Sequence, residues 1–92
     1  MMYALRYHDL VMREDIPALS QEWRTRIRRA IEARLTTRPD IYGKPLRRSL
    51  KGYRKLRVGD WRVIFRIERN AVKVFAIQHR SRVYDTVAKR LS

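Results

Sequence analysis

Apolar and polar residues alternate along residues 53–65 and again along residues 72–77, as they do in β-strands with one buried face. Gly59-Asp60 divides the first stretch into two short runs, and this dipeptide is typical of a two-residue hairpin turn in which glycine takes a positive φ. A polar break at residues 68–70 precedes the second stretch. The pattern therefore predicts a three-stranded meander.

Apolar residues recur at intervals of three and four between residues 20 and 36, which is the spacing of an amphipathic helix. Ser20 is a suitable N-cap, and Glu22 favours the positive end of the helix. A second helical pattern covers residues 10–16, and Pro17 is expected to stop that helix or to restart it. Residues 2–7 resemble a strand. From residue 82 onward, a single apolar stripe predicts a short C-terminal helix with Val83, Val87 and Leu91 on one side.

Residues 38–52 contain two prolines and two glycines, so we expect a loop within one domain. The predicted order is β-α-α-β-β-β-α in a single domain of residues 1–92. This order indicates the α+β class, with an antiparallel sheet and an N-terminal helical hairpin on one face. We expect the other face of the sheet to remain open for a ligand.

The composition excludes several classes of protein. Ninety-two residues form one domain with a modest core. The chain has no cysteine, so it offers neither a disulfide framework nor a thiolate metal site. No apolar run approaches the ~20 residues of a membrane span, and the N-terminus lacks the apolar core of a signal peptide. We therefore expect a cytoplasmic protein.

Positive charge is concentrated in the second half of the chain. Residues 1–43 contain 8 basic and 6 acidic side chains, whereas residues 44–92 contain 15 and 3, within a total net charge of +14. Arginine is the more frequent cation, and its planar guanidinium matches the geometry of phosphate. Nucleic acid and an acidic protein are both candidate partners. The cations of the predicted sheet and its ends are Arg54, Lys55, Arg57, Arg62, Arg66, Arg80 and Arg82.

Two motifs within residues 50–84 resemble the RelE/ParE superfamily of toxins from type II toxin–antitoxin systems. The first is Leu-Arg-Val-Gly-Asp-Trp-Arg at residues 56–62, and the second is His-Arg-Ser-Arg-Val-Tyr at residues 79–84. The resemblance in order and spacing covers nearly the whole chain. It implies a toxin held inactive by an antitoxin whose acidic, amphipathic tail covers the basic sheet and whose N-terminal part binds operator DNA. RelE-like members cut messenger RNA on the ribosome, whereas ParE-like members poison DNA gyrase.

The resemblance also implies roles for individual residues. In the RNA-cutting branch the ribose 2′-OH attacks the adjacent phosphate without a metal or other cofactor, so cations must stabilise the transition state. Arg62 and Arg80 resemble the phosphate-binding arginines, Lys55 a charge-stabilising residue or base, and Tyr84 a tyrosine that stacks on or orients a nucleobase. These four are the candidate catalytic residues. The further candidates for RNA contact are Arg54, Arg57, His79 and Arg82.

Several alternatives remain open at this point. Arg57 is explained equally well by contact with RNA and by a role as an exposed strand residue or a contact for the antitoxin. His79 is explained equally well as a structural residue at the end of a strand. Tyr53 stands where ribosome-dependent members carry a second lysine, and Ile77-Gln78-His79 stands where they carry another cation. Arg62, Arg80 and Tyr84 together favour the ribonuclease branch. A gyrase-binding toxin, or an inactive homologue that retains only antitoxin binding, is the competing interpretation.

Overall fold

The computed structural model describes residues 2–47 and 50–92. Strand β1 (Ala4–Tyr7) leads into helix α1, which is π-helical over Val11–Asp15 and α-helical over Ile16–Ala18. Helix α2 is α-helical over Gln21–Ala30 and π-helical over Ile31–Leu35. The remaining elements, in chain order, are α3 (Pro39–Tyr42), β2 (Lys44–Pro45), β3 (Arg54–Val58), β4 (Trp61–Glu68), β5 (Ala71–His79) and α4 (Val83–Leu91).

The described residues form a five-stranded sheet in the order β1-β5-β4-β3-β2. The α+β class and the predicted hairpin are confirmed, and Gly59 has a φ of +59° in the β3–β4 turn. Antiparallel pairing holds only from β2 to β5, because β1 pairs in parallel with β5. The sequence pattern did not indicate this pairing, since β1 and β5 are distant along the chain and no local pattern relates them.

The loop predicted over residues 38–52 contains two further elements, α3 and β2. Pro39 occupies the first turn of α3, where its missing N–H is not needed. Lys44 and Pro45 pair with Lys55 and Arg54 at the edge of the sheet. Residues 48 and 49 of the predicted loop lie outside the described residues. Helix α1 continues past Pro17 because this proline lies in the first turn of the α-helical segment that follows the π-helical turn.

The sheet separates two hydrophobic clusters. On the first face, α1 and α2 pack against β3, β4 and β5 through buried side chains that include Ile27, Leu56 and Val63. On the second face, α4 packs Val83 and Val87 against Ile64. The second face is therefore not fully open as predicted, because α4 covers the part formed by β4 and β5. The part formed by β2, β3 and the adjoining residues of β4 carries the cations.

None of the helices formed by residues 2–47 and 50–92 is long and apolar enough to cross a membrane.

A buried ion pair joins α1, β5 and α4. Asp15 is 1% exposed, and the side chain of Arg90 is 5% exposed. Arg90 donates to Asp15 through both Nη1 (2.8 Å) and Nη2 (2.6 Å), and its Nη1 also donates to Phe75 O at 3.1 Å. Asp15 accepts the backbone N–H of Ile77 at 2.8 Å. The hydrogen bonds with Asp15 raise the pKa of Arg90 above its usual value, so this side chain remains a cation.

The pair also completes the hydrogen bonding of the β5 edge. Strand β1 pairs with β5 only as far as Val74, and the backbone N–H of His8 donates to Val74 O at 2.8 Å. Beyond that point Asp15 and Arg90 bind the backbone groups of Ile77 and Phe75 that another strand would otherwise bind. Because unpaired buried backbone groups are costly, the pair substitutes for the missing length of β1.

We expect Asp15→Ala to lower the free energy of unfolding by about 3–5 kcal/mol, because it leaves the buried guanidinium of Arg90 with only the more distant and exposed carboxylate of Glu14, at 3.6 Å, and removes the acceptor of the Ile77 N–H. Urea denaturation of the purified chain measures this loss. Asp9→Ala is the matched control, since Asp9 forms an exposed ion pair with Arg13 (3.0 Å, both side chains 71% exposed) and should cost about 0–1 kcal/mol. Similar losses for the two variants would contradict the structural role of the buried pair.

Candidate nucleic-acid interface

A cleft of about 180 Å³ lies on the second face, at the end of the sheet that α4 does not cover. It is lined by Tyr42, Lys44, Lys55, Arg57 and Arg62. Lys44 and Lys55 are paired residues of β2 and β3, and Arg57 and Arg62 are paired residues of β3 and β4. Paired residues point to the same face, so the hydrogen-bonding register alone brings these four cations together.

Two arginines face each other directly across the β3–β4 pair. Arg57 and Arg62 flank the buried residues Leu56 and Val63 and therefore point away from α2. Arg62 Nη1 donates to Gly59 O and to Trp61 O, both at 2.9 Å. These bonds hold the guanidinium at the hairpin turn and leave its Nε–H and Nη2–H groups for an anion. Like charges on opposed residues destabilise a sheet, so the arrangement favours a bound anion.

Lys55 connects this cleft with α4. Its Nζ lies 3.4 Å from the hydroxyl oxygen of Tyr84, which stands in the first turn of α4 and is 45% exposed. A lysine ammonium group has donors only, so Tyr84 Oη is the acceptor of this bond. The phenolic proton of Tyr84 is then directed elsewhere and can be donated to an oxyanion. Three sequence-predicted cations, Lys55, Arg57 and Arg62, thus meet at one site, and Tyr84 joins them through Lys55.

Arg54 and His79 lie on the first face of the sheet. Arg54 Nη1 donates to Gly43 O at 2.9 Å and to Asp40 O at 3.2 Å, which fixes the segment from α3 to β2 against β3. The ring of His79 packs edge-on against Trp61, with 5.6 Å between centroids. The backbone N–H of Ser81 donates to His79 Nδ1 at 3.2 Å, so the neutral imidazole carries its proton on Nε2. Both side chains have structural partners outside the cleft.

Arg80 and Arg82 follow β5 at its C-terminal end. The backbone N–H of Arg80 donates to Asp60 O at 2.8 Å, and its Nε lies 3.8 Å from the Asp60 carboxylate. Arg80 is therefore attached to the same hairpin turn that holds Arg62. Arg82 is exposed and precedes α4 as its N-cap residue. Neither residue lines the cleft.

Sequence analysis missed two residues of the cleft, Tyr42 and Lys44. Both lie in the stretch predicted as a loop, and only the pairing of β2 with β3 brings Lys44 beside Lys55. Tyr42 is 48% exposed at the end of α3. The guanidinium carbon of Arg34 lies 5.8 Å from the centre of its ring. A signal for Lys44 was present in the sequence, since it begins the strongly basic half of the chain.

Comparison with known proteins assigns the chain to a family. A sequence model described as the ParE toxin of the type II toxin–antitoxin system parDE matches residues 6–84. The chain therefore belongs to the ParE toxin family of type II toxin–antitoxin systems. This result confirms the resemblance to the RelE/ParE superfamily. No curated protein matches the chain significantly.

Solved structures support the same fold. The toxin–antitoxin complex RelBE2 from Mycobacterium tuberculosis matches with a TM-score of 0.81 and 28% identity, over 88% of this chain and 94% of that one. The RelB–RelE complex from Methanococcus jannaschii matches with a TM-score of 0.69 and 18% identity, over 88% and 96%. YafQ from Escherichia coli matches with a TM-score of 0.59 and 16% identity, over 89% and 98%. The last two likenesses concern the fold alone.

We expect Arg57→Gln to raise the free energy of unfolding by about 0.2–1 kcal/mol at low salt, because it removes the repulsion between Arg57 and Arg62. The gain should shrink as salt screens the two like charges. Denaturant titrations at low and high ionic strength measure both effects.

Arg54→Gln is the matched control, since it removes the same charge from the same strand. It should destabilise the chain by about 1 kcal/mol or more, because Asp40 O and Gly43 O lose their donor. Destabilisation by both variants would show that repulsion across the cleft is negligible.

Proposed function

We propose that the chain is a toxin that cleaves messenger RNA on the ribosome without a metal. The observation that carries this proposal is the convergence of Lys55, Arg57 and Arg62 beside the Tyr84 hydroxyl, in a cleft that no carboxylate of the described residues lines. A phosphate of single-stranded RNA matches this set of donors in charge and in hydrogen bonding. The likeness to the toxin–antitoxin complex RelBE2, at 28% identity, supports the assignment as a toxin.

The proposed reaction is an internal displacement at phosphorus. The ribose 2′-oxygen forms a bond to the adjacent phosphorus and gives up its proton, while the bond from phosphorus to the 5′-oxygen breaks. The products are a 2′,3′-cyclic phosphate and a 5′-hydroxyl. Arg57 and Arg62 stabilise the additional negative charge of the pentacoordinate transition state. Tyr84 donates its phenolic proton toward the phosphate or the departing 5′-oxygen, and Lys55 holds the phenol in place.

The cleft contains cations and phenols but, among the described residues, no imidazole or carboxylate that would accept the 2′-OH proton. Lys55 donates to Tyr84 as an ammonium group and has no lone pair for that proton, so the acceptor is a group that the ribosome supplies. This composition supports a reaction that depends on the ribosome. The partners we propose are the ribosome-bound message and a cognate antitoxin with an acidic segment over the cleft. Operator DNA is bound indirectly, through the antitoxin.

A gyrase-binding toxin that cuts no RNA is the second candidate. It is favoured by the match to the ParE family and by the positions of His79, Arg80 and Arg82 away from the cleft. In that case the cationic cleft grips a partner and has no chemical role. RNA cleavage separates the two candidates.

We expect brief induction of the chain without antitoxin to produce cuts at fixed positions within the codons of a translated message. The same message with its start codon disabled should remain intact, because the ribosome completes the active site. Mapping of 5′ ends measures both. Growth arrest without cuts in either message would contradict the proposal and favour gyrase, which a supercoiling assay then tests. Cuts in both messages would indicate a ribonuclease that does not need the ribosome.

Arg62→Ala should lower the cleavage rate by about 10²–10³-fold, which is the usual cost of removing one donor to a developing oxyanion. Arg66→Ala is the matched control, since Arg66 lies on the same strand and the same face but outside the cleft. Single-turnover cleavage on programmed ribosomes measures both rates. Equal losses for the two variants would mean that total charge, and not the geometry of the cleft, determines activity.

A further inference from the structure

The outer side of α2 carries a second row of cations. Arg26, Arg29, Ala30, Ala33 and Arg34 follow one another at the spacing of a single helical stripe, and the two alanines leave a trough between the longer side chains. In the tertiary structure, part of the sheet lies opposite this stripe and forms a groove with it.

The surface opposite the α2 stripe is the open edge of β3. Strand β2 pairs only with Arg54 and Lys55, so no strand of the described residues covers residues 56–58 on that side. The α2 stripe and this edge enclose a shallow groove of about 500 Å³, which Arg57, Val58 and Gly59 line together with the stripe. We call it the α2 groove.

Two arginines of the α2 groove have aromatic partners that fix their positions. The guanidinium carbon of Arg26 lies 4.3 Å from the centre of the Trp23 ring, which is close enough for a cation–π interaction. Trp23 is itself held against the hairpin turn, because a Cβ added to Gly59 would lie 2.6 Å from Trp23 Cη2. Arg34 lies against Tyr42. These cations are thus oriented before any ligand binds.

The α2 groove adjoins the cleft on the second face. Arg57 lines both, and Tyr42, which contacts Arg34, lines the cleft. Within the described chain no carboxylate lies within salt-bridge distance of Arg26, Arg29, Arg34 or Arg57. Glu32 of the same helix lines a different cavity, together with Tyr7 and Arg28. One extended polyanion can therefore run from the cleft into the groove without meeting an acidic side chain.

We propose that the single strand of RNA bound in the cleft continues across the open edge of β3 into the α2 groove, where Arg26 and Arg29 contact its phosphates. This inference rests on the proposed function. A half-exposed Tyr42 ring at the junction favours RNA over an acidic peptide, since single-stranded nucleic acid is bound by cations interleaved with stacking platforms. The α2 groove then determines how long a segment of RNA the toxin grips.

The test uses fluorescence anisotropy with fully 2′-O-methylated RNA of about four and about twelve nucleotides at several salt concentrations. We expect the wild-type chain to bind the longer RNA more tightly than the shorter RNA. The double variant Arg26→Ala/Arg29→Ala should lose this gain in affinity with length, and it should bind the short RNA with the affinity of the wild-type chain. For the longer RNA, the slope of log affinity against log salt should fall by about 1.4, at roughly 0.7 for each lost phosphate contact.

Arg6→Ala/Arg28→Ala is the matched control. It removes the same charge from exposed residues, Arg6 lies on β1 at the far edge of the sheet, and Arg28 lines the separate cavity beside Tyr7. Thermal unfolding checks that both double variants fold. The proposal is overturned if the control variant loses as much of the gain in affinity with RNA length as Arg26→Ala/Arg29→Ala does. It is also overturned if the wild-type chain binds the two RNA lengths with the same affinity. It is also overturned if a polyglutamate peptide binds more tightly than the RNA with the same dependence on Arg26 and Arg29.

The binding result is independent of cleavage, because 2′-O-methylated RNA lacks the attacking hydroxyl. A gain with length together with no cleavage of unmodified RNA on ribosomes would refute the nuclease proposal and leave the path of the strand supported. Cleavage of unmodified RNA on ribosomes without a gain in affinity with length would support the nuclease proposal and refute the proposed path of the strand.

Discussion

The buried ion pair between Asp15 and Arg90 is the interaction on which the rest of the structure depends. It joins an early helix, the longest strand and the last helix, and it binds the backbone of β5 where β1 has ended. Two opposite charges at this position cost desolvation, which their mutual hydrogen bonds and the backbone of β5 offset. With α4 fixed in this way, Tyr84 in its first turn lies beside Lys55 of β3.

The cations of the cleft destabilise the sheet, in contrast to the buried ion pair. Arg57 and Arg62 are directly opposed, and Lys44 and Lys55 repeat the arrangement one strand further out. Such pairs weaken a sheet, and natural sequences retain local conflicts of this kind mainly at functional sites. The sheet tolerates the repulsion because buried apolar residues, among them Leu56 and Val63, form the opposite face of the same strands. A bound anion would relieve the repulsion between these cations. The proposed ligand would therefore stabilise the strands that its site destabilises.

The short length of β2 determines how the basic surfaces are arranged. Two paired residues are enough to bring Lys44 into the cleft, and they leave the following residues of β3 open toward α2. Arg57 therefore lines surfaces on both sides of the sheet edge. An open strand edge is usually protected by charged side chains, and here the same charges line the surfaces that we propose bind RNA.

The sequence by itself determined the fold class, the Ser20 N-cap of α2, the hairpin at Gly59-Asp60 and the concentration of cations in the second half. These features depend on local spacing and composition. It also indicated the family, and three cations of the cleft, because alternation along β3 and β4 places them on one face. Only the tertiary structure decided the parallel pairing of β1 with β5, the presence of Lys44 and Tyr42 in the cleft, and the separation of Arg54 and His79 from it. These outcomes depend on contacts between residues distant in the chain, whose geometry is set by packing and not by local pattern.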